Sequence, residues 1–193
     1  MEALIDKWNQ IYSQCEPDDL SATEVLKDNA FLLPKSGNAL DLACGLGANA
    51  IFLAHHGLAV AAWDLSPVAI AKLTAHSRLQ GLNISACEKN ITSKSLEKSC
   101  YDIITVSRFL DRTLTDAIIA ALKPDGLLFY QTYTKQKTFD QGPRNPAFLL
   151  KKNELLELFS PLTVIYYREN GRCGELMQGL RNEAQFIGQN HTI

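Results

Sequence analysis

The sequence predicts an α/β fold in which a sheet of seven mostly parallel strands carries helices on both faces. Short apolar runs alternate with helical patterns from residue 38 to about residue 159, which is typical of βαβ units. The first apolar run carries one acid and leads directly into Gly45-Leu46-Gly47. After Gly171 and Gly174, residues 179–188 predict a last strand that is antiparallel to the strand before it.

Two helix boundaries are well marked in the first half of this core. Gly57 ends one helix, because glycine readily adopts the left-handed conformation that follows a last helical turn. Ser66 supplies an N-cap for the next helix, and Pro67 suits its first turn. In chain order, the predicted elements are a strand at 38–44, a helix at 48–56, a strand at 58–64, a helix from 66 to 81 and a strand at 84–88.

The second half of the core continues the alternation. Residues 101–107 are an apolar run that suits a buried parallel strand. Lys123-Pro124 ends a helix and Asp125-Gly126 turns the chain. The predicted elements are a polar connection at 93–99 with room for one helical turn, a strand at 101–107, a helix at 115–122, a strand at 126–134, a polar loop at 135–147, a helix at 153–159 and a strand at 163–168.

The first 37 residues predict a helical cap on the front of the sheet. Apolar residues recur there with helical spacing, at Leu4, Ile5, Trp8 and Ile11-Tyr12. A second helix is expected at about 22–29. Trp8 and Tyr12 either close over a bound cofactor or pack into the core. We therefore predict one domain over residues 1–193, with the cap at 1–37 and the α/β core at 38–193.

Composition limits the possible functions. The chain has 193 residues, of which 46% are hydrophobic and 21% charged, and such a composition is typical of a globular domain. A net charge of −2 makes nucleic acid an unlikely partner. No apolar run approaches the roughly 18 residues of a membrane span, and no signal peptide is visible. The five cysteines form no C-x-x-C pair, so we expect reduced thiols in a cytoplasmic protein and no metal site.

The glycine turn after the first strand predicts a nucleotide-like cofactor. Gly45 and Gly47 lack a Cβ, so the turn is tight and a ligand can approach the main chain and the helix that follows. Asp64 ends the second strand, 19 residues after Gly45. Ligands of open α/β sheets lie at the carboxyl ends of the strands, where a carboxylate accepts hydrogen bonds from both ribose hydroxyls. The alternative role for Asp64 is to cap the next helix.

The segment "LDLACGLG" resembles motif I of the class I S-adenosylmethionine (SAM) dependent methyltransferases. The longer segment "LDLACGLGANAIFLAHHGLAVAAWDLSPVAI" resembles the tellurite-resistance (TehB-like) group of small-molecule methyltransferases. "KPDGLLFYQ" is similar to the "kPGG" turn of that family, with Asp125 in place of the first glycine. The resemblance covers about residues 1–170 and implies a Rossmann-like fold, SAM as cofactor and S-adenosylhomocysteine (SAH) as product.

The resemblance also implies which residues hold the cofactor. Asp41 matches the acid near the methionine moiety, although it could instead make only a structural bond to the glycine turn. Asn90 and Ile91 match the pair that contacts adenine, and Ser107 should face the methyl-bearing sulfur. The cofactor-binding residues implied are Asp41, Ala43, Gly45, Gly47, Asn49, Asp64, Leu65, Asn90, Ile91 and Ser107.

Candidate residues for methyl transfer lie on the later loops. Arg108, Asp111, Arg112 and Tyr133 are the catalytic candidates, and Arg144 with Asn145 are the substrate candidates. Arginines suit an anionic substrate, such as an oxyanion or a carboxylate. With the resemblance to the tellurite-resistance group, the acceptors we expect are a chalcogen oxyanion, a thiol or a carboxylate. Each arginine could instead form a salt bridge only. Asp111 stands where the related sequences often have histidine, so this chain lacks any proton transfer made by that residue.

Other functions remain as alternatives. The chain could bind SAM without turnover, or it could methylate RNA or protein, although its low charge disfavours the latter. Tyr133 and Lys137 match the spacing of the catalytic tyrosine–lysine pair of short-chain dehydrogenases. That pair belongs on a helix, whereas Tyr133 ends a predicted strand, so a dehydrogenase is disfavoured. We expect a small-molecule substrate, no membrane partner and a monomer or homodimer.

Overall fold

The computed structural model describes residues 2–191, so Met1 and residues 192–193 of the predicted domain lie outside the described residues. At its centre is a seven-stranded sheet. Its strands are β1 (Asn38–Leu42), β2 (Ala59–Asp64), β3 (Ile84–Glu88), β4 (Tyr101–Ser107), β5 (Leu122–Tyr133), β6 (Thr163–Glu169) and β7 (Glu183–Gln189). The order across the sheet is β3-β2-β1-β4-β5-β7-β6, and β7 runs antiparallel to both of its neighbours. This architecture confirms the predicted fold.

The helices of the described chain cover both faces of the sheet, as predicted. They are α1 (Glu2–Ser13), α2 (Glu24–Asp28), α3 (Ala48–His55), α4 (Pro67–Leu79), α5 (Thr115–Ala121) and α6 (Glu154–Leu158). The start of α4 follows the sequence signal, because the Ser66 hydroxyl accepts a hydrogen bond from the Ala69 amide at 3.2 Å. A short 3₁₀ turn at Ser93–Ser95 stands where one helical turn was expected.

Each face of the sheet buries its own apolar core. Leu40, Leu42, Ile104 and Val106 face α5 and α6 in one core. Alternate positions of the same strands point the other way, and there they pack with Val25 of α2 and with α3 and α4. The central strands are therefore buried on both sides, which accounts for their nearly continuous apolar sequences.

The starts of two strands differ from the prediction by four residues, whereas the other strand boundaries agree to within two residues. β5 begins at Leu122, where a helix end and a turn were expected, and its pairing with β4 shifts register there. Asp125 has a φ of 63°, and its amide donates to the Asn190 carbonyl at 2.7 Å, so the expected turn is a bulge within the strand. β7 begins only at Glu183, because Asn182 has a φ of 60°, which is outside the strand conformation.

One edge of the sheet gathers the ends of several strands. β1, β2, β4 and β5 run parallel, so their carboxyl ends lie at that edge. β7 is antiparallel to β5 and places its first residue, Glu183, opposite Tyr133 at the same edge. Within residues 2–191, the helices are too short or too polar to cross a membrane.

We expect Gly47→Ala to destabilise the fold more than Gly81→Ala. Both glycines have positive φ values, 80° and 63°, so alanine at either position costs about 1 kcal/mol in backbone strain. A Cβ at position 47 would also lie 2.5 Å from the Leu73 side chain, whereas a Cβ at position 81 would meet nothing within 4 Å. Equilibrium unfolding in urea measures both free energies, and equal losses would contradict the steric argument.

Candidate functional site

The glycine turn is joined directly to the acid at the end of β2. Gly45 and Gly47 have φ values of 54° and 80°, and Ala43 also has a positive φ of 58°. This sharp path turns the Gly45 amide toward β2, where it donates to Asp64 Oδ2 at 2.8 Å. Two residues that lie 19 positions apart in the sequence are therefore in contact at the carboxyl ends of adjacent strands.

Asp64 keeps the capacity to bind a ligand. Its second oxygen accepts from the Ser66 amide at 2.9 Å, so each carboxylate oxygen has at least one backbone donor. Burial raises the pKa of Asp64, and the backbone amides of Ser66, Gly45 and Leu65 oppose that rise. A carboxylate has about four acceptor positions, so these backbone donors do not use all of them. Asp64 thus both fixes the local backbone and could accept bonds from a ribose.

Asp41 is a buried acid beneath the same turn. It is 1% exposed, and its carboxylate accepts from the Ala50 amide in the first turn of α3 at 3.0 Å. Burial raises the pKa of Asp41 to about 7, and the Ala50 amide opposes this rise. Across the sheet, Asp41 pairs with Thr105, whose buried hydroxyl has no hydrogen-bond partner in the described part of the chain. Asp41 therefore makes a structural bond to the start of α3 rather than to the glycine turn itself, and the Thr105 hydroxyl nearby is unpaired within the described chain.

Asn49 and Ser107, both predicted to bind the cofactor, bond to each other in this structure. The Asn49 side-chain amide donates to Ser107 Oγ at 2.7 Å. Asn49 Oδ1 accepts from both the amide and the hydroxyl of Thr23, at 3.0 Å and 3.2 Å. Asn49 is therefore a buried link that holds α3 to the end of β4 and to the start of α2.

Helix α1 covers the glycine turn. A Cβ at Gly45 would lie 2.8 Å from the Tyr12 hydroxyl, so this ring fits only because residue 45 is glycine. Tyr12 stacks on Trp8 with ring centroids 5.6 Å apart, and Ser66 donates to Asn9 Oδ1 at 2.6 Å. Burial and then the nearby Asp64 raise the pKa of Tyr12. Both aromatic rings are half-buried on the front of the sheet.

The predicted adenine pair follows β3, next to Asp64. The Lys89 amide donates to the Asp64 carbonyl at 2.7 Å, which keeps the two strand ends together. Asn90 is then exposed, and Ile91 is partly buried against the core. Leu65 is half-buried between Asp64 and the N-cap of α4. These positions follow directly from the ends of β2 and β3, which the Lys89 bond keeps together.

Arg108 lies at the end of β4 with its guanidinium partly free. Its φ is 52°, and its amide donates to the Gln131 carbonyl at 2.8 Å. Nε donates to Glu183 Oε1 at 3.0 Å, and within residues 2–191 the two terminal amino groups have no hydrogen-bond partner. Burial acts to lower the pKa of Arg108, but Glu183 more than offsets this and raises it. Burial also raises the pKa of the adjacent Tyr133, and Arg108 opposes that rise.

The other candidate arginines have different surroundings. Arg112 forms a two-point ion pair with Glu154, at 2.7 Å and 2.9 Å, and also donates to the Ala147 and Leu149 carbonyls. It therefore braces the segment before α6. The Arg144 side chain is 88% exposed and pairs with the exposed Asp140.

Asp111 and Asn145 each cap a short turn. Asp111 Oδ1 accepts from the amide and the hydroxyl of Thr113, at 2.9 Å and 2.7 Å. Asn145 Oδ1 accepts from the Ala147 amide at 3.0 Å. Both predicted side chains thus have local structural partners. Arg108 and Arg144 both keep free donors within residues 2–191, but the Arg144 side chain is 88% exposed, whereas that of Arg108 is only half exposed and is held by a buried acid.

A buried polar cluster, which was not predicted from the sequence, lies behind Arg108. Gln131 of β5 is 0% exposed, and Glu183 of β7 is 5% exposed. Gln131 Nε2 donates to Glu183 Oε2 at 2.6 Å and to Glu24 Oε2 at 2.8 Å. The available signal was the polar residue within the apolar run of β5. Among the described residues, no group of His, Cys, Asp and Glu could hold a metal ion.

Similarity to known proteins agrees with this geometry. The sequence matches the family model described as tellurite resistance protein TehB over residues 12–185. A TehB protein of Haemophilus influenzae, named as an S-adenosyl-L-methionine-dependent methyltransferase, is 31% identical over 143 residues, which are 71% of this chain and 49% of the relative. A ubiquinone biosynthesis O-methyltransferase of Xanthomonas axonopodis pv. citri is 25% identical over 160 residues, which are 80% of this chain and 64% of that protein. The chain spans about half the length of the TehB relative.

Solved structures share the fold. The crystal structure of TehB from Haemophilus influenzae superposes with a TM-score of 0.69 at 24% identity, covering 86% of this chain and 61% of that one. A SAM-dependent methyltransferase from Aquifex aeolicus superposes with a TM-score of 0.71 at 16% identity, covering 95% and 98% of the two chains. Because the identities are below 25%, these two structural similarities show that the fold is shared and nothing more.

We expect Asp41→Asn to stabilise the ligand-free protein at pH 8 but not at pH 4. The unfolded carboxyl ionises near 3.8, whereas the folded one keeps its proton to about 7. Between these values the folded state binds more protons, so the wild type loses stability as pH rises, by about 1.4 kcal/mol per unit of pKa difference. Asparagine keeps an oxygen for the Ala50 amide and carries no charge. Urea unfolding of both proteins from pH 4 to 8 measures the difference, and a difference independent of pH would contradict the expectation.

Proposed function

Because this chain belongs to the tellurite resistance protein TehB family, we propose that it transfers a methyl group from SAM to a small-molecule acceptor. The observation that carries the proposal is the 2.8 Å hydrogen bond between the Gly45 amide and Asp64, which brings the glycine turn into contact with the carboxylate that we assign to the ribose. Family membership agrees with the resemblance found in the sequence.

The residues present fit SAM. Asp64 has acceptor positions left for the ribose hydroxyls, and Asp41 is a carboxylate near the glycine turn that can pair with the methionine ammonium. Asn90 and Ile91 offer an amide and an apolar side chain to adenine. Ala43, Gly45, Gly47 and Leu65 line the turn and the β2 end, and Asn49 and Ser107 support it through their mutual bond.

Bound SAM supplies an electrophilic methyl group on a sulfonium, and SAH is the product. The chain aligns the acceptor and excludes water, because the cofactor already carries the driving force. Tyr12 and Trp8 of α1 shield the cofactor side of the site. A soft nucleophile requires no general base, which agrees with an Asp111 carboxylate engaged in capping.

Arg108 is the residue we assign to the acceptor. Its terminal amino groups are free within residues 2–191, and two parallel N–H donors suit an oxyanion or a carboxylate. Tyr133 lies next to it and forms the adjoining wall. The acceptor is therefore anionic: a chalcogen oxyanion is the first choice, followed by a thiolate or a carboxylate. Arg112 and Asp111 shape this wall, and Arg144 with Asn145 lie on the outer loop.

Several broader features belong to the same proposal. Residues 1–193 act as one domain, and the enzyme works in the cytoplasm as a monomer or homodimer on a free small molecule. Nucleic acid and membranes are not its partners.

Asp64→Asn should weaken SAM binding at least tenfold, because an amide accepts at only one atom and loses the charge that two hydroxyl donors favour. Isothermal titration of SAM into the full chain measures the dissociation constant. Glu88→Gln is the matched control, since Glu88 pairs with Asp64 across β3 and β2 but is exposed. Circular dichroism confirms folding of both variants. Unchanged SAM affinity in a folded Asp64→Asn would overturn the ribose role.

Arg108→Lys should lower kcat/KM for the acceptor by about tenfold and leave SAM affinity unchanged, because lysine lacks the planar fork of donors. SAH release is measured by chromatography with selenite, tellurite, 2-mercaptoethanol and benzoate as acceptors. Arg78→Gln, an exposed change on α4, is the control. Release with none of these acceptors, despite SAM binding, would favour a SAM-binding protein without turnover. An unaltered kcat/KM would place the anion elsewhere.

A further inference from the structure

A chain of buried hydrogen bonds ends at the Arg108 guanidinium. It begins at the Gln131 side chain, which is 0% exposed. Gln131 Oε1 accepts from the Val25 amide and from Gln185 Nε2, both at 3.0 Å. Gln131 Nε2 donates to the carboxylates of Glu24 and Glu183, at 2.8 Å and 2.6 Å. All four hydrogen-bonding positions of this amide are therefore used.

This saturation fixes the orientation of the amide. A flip would point the carbonyl of Gln131 at two carboxylates and its NH₂ group at two N–H donors. Each of the four bonds would become a repulsive contact in a buried site, where such contacts are costly. Gln131 therefore presents its NH₂ group to Glu183 in one orientation only.

Glu183 links the fixed Gln131 amide to Arg108 by hydrogen bonds. One carboxylate oxygen accepts from Gln131 and the other accepts from Arg108 Nε at 3.0 Å. The Glu183 side chain is 4% exposed, whereas that of Arg108 is 51% exposed. The buried acid thus holds the Nε side of the guanidinium, and the two terminal amino groups are left without a partner within residues 2–191.

We propose that Glu183 is a positioning residue, which aims the free edge of Arg108 at an anionic acceptor. The inference rests on the proposed function, since it concerns the same acceptor site. Glu183 does not touch the acceptor. It reduces the freedom of a long side chain, so that less entropy is lost when two parallel hydrogen bonds form to the acceptor.

The test measures the guanidinium itself. The full chain is labelled with ¹⁵N-arginine and saturated with SAH, and Arg108→Lys identifies the Nε–H signal of Arg108. We expect that signal to be sharp in the wild type, to shift on titration with sodium selenite, and to lose both properties in Glu183→Ala. A sharp Arg108 signal in Glu183→Ala would overturn the proposal.

Steady-state kinetics separates positioning from general stability. Glu183→Ala should raise KM for selenite about tenfold while the SAM dissociation constant stays within about twofold, since the missing partner orders only the acceptor side. Asp102→Ala is the matched control, because it removes the Lys123 ion pair, 2.7 Å long, at the opposite edge of the sheet. A parallel loss of SAM affinity and acceptor affinity in Glu183→Ala would mean a structural role only and would overturn the proposal.

A subtler substitution tests the two acceptor oxygens of Glu183. Glu183→Gln keeps the shape of the side chain but leaves one acceptor oxygen for two donors, Gln131 Nε2 and Arg108 Nε. One donor then faces an NH₂ group in either orientation of the new amide, so we expect the selenite KM to rise. An unchanged KM in a folded Glu183→Gln would count against positioning.

The NMR and kinetic experiments can also distinguish a failure of this proposal from a failure of the proposed function. If the wild type releases no SAH with any acceptor, the methyl-transfer proposal fails, and the NMR titration still decides the role of Glu183. A selenite-dependent shift that is lost in Glu183→Ala would support positioning, and a wild-type signal that ignores selenite would overturn it.

Discussion

The hydrogen bond from the Gly45 amide to Asp64 is the contact on which the site depends. It joins the ends of two adjacent parallel strands, and it forms only because Gly45 takes a positive φ of 54°. The same glycine leaves room for the Tyr12 ring. A single residue without a side chain therefore lets the backbone face an acid on one side and an aromatic cover on the other.

The site buries charge that the fold alone would not favour. Asp41 is almost fully buried, and burial raises its pKa to about 7, so in the ligand-free protein its ionised form is disfavoured near neutrality. Positive charge from a bound ligand would relieve this cost. The buried Asp41 carboxyl thus lowers the stability of the ligand-free fold at the position where a positively charged ligand is expected. Functional sites often carry such a cost.

The contact at the glycine turn was predictable from the sequence, whereas the partners of the candidate arginines were not. The contact between Gly45 and Asp64 follows from local signals, because a glycine turn and a strand-ending acid must meet when their strands are parallel neighbours. The different ion-pair partners of Arg108 and Arg112 could not be deduced from local signals. Glu154 lies 42 residues after Arg112, and Glu183 lies 75 residues after Arg108, so the pairing depends on tertiary packing. The position of β7 between β5 and β6, which brings Glu183 to Gln131, is likewise a property of topology.

The insertion of β7 between β5 and β6 also orders events during folding. Within residues 2–191, β6 pairs in the sheet with β7 alone, so it can join only after the later strand has docked. Glu183 arrives with β7, and so Arg108 gains its ion-pair partner late, whereas the start of α2 bonds to Gln131 of β5. During synthesis on the ribosome, Gly45 and Asp64 emerge long before Glu183, so both partners of the glycine-turn contact are present well before those of the Arg108 ion pair.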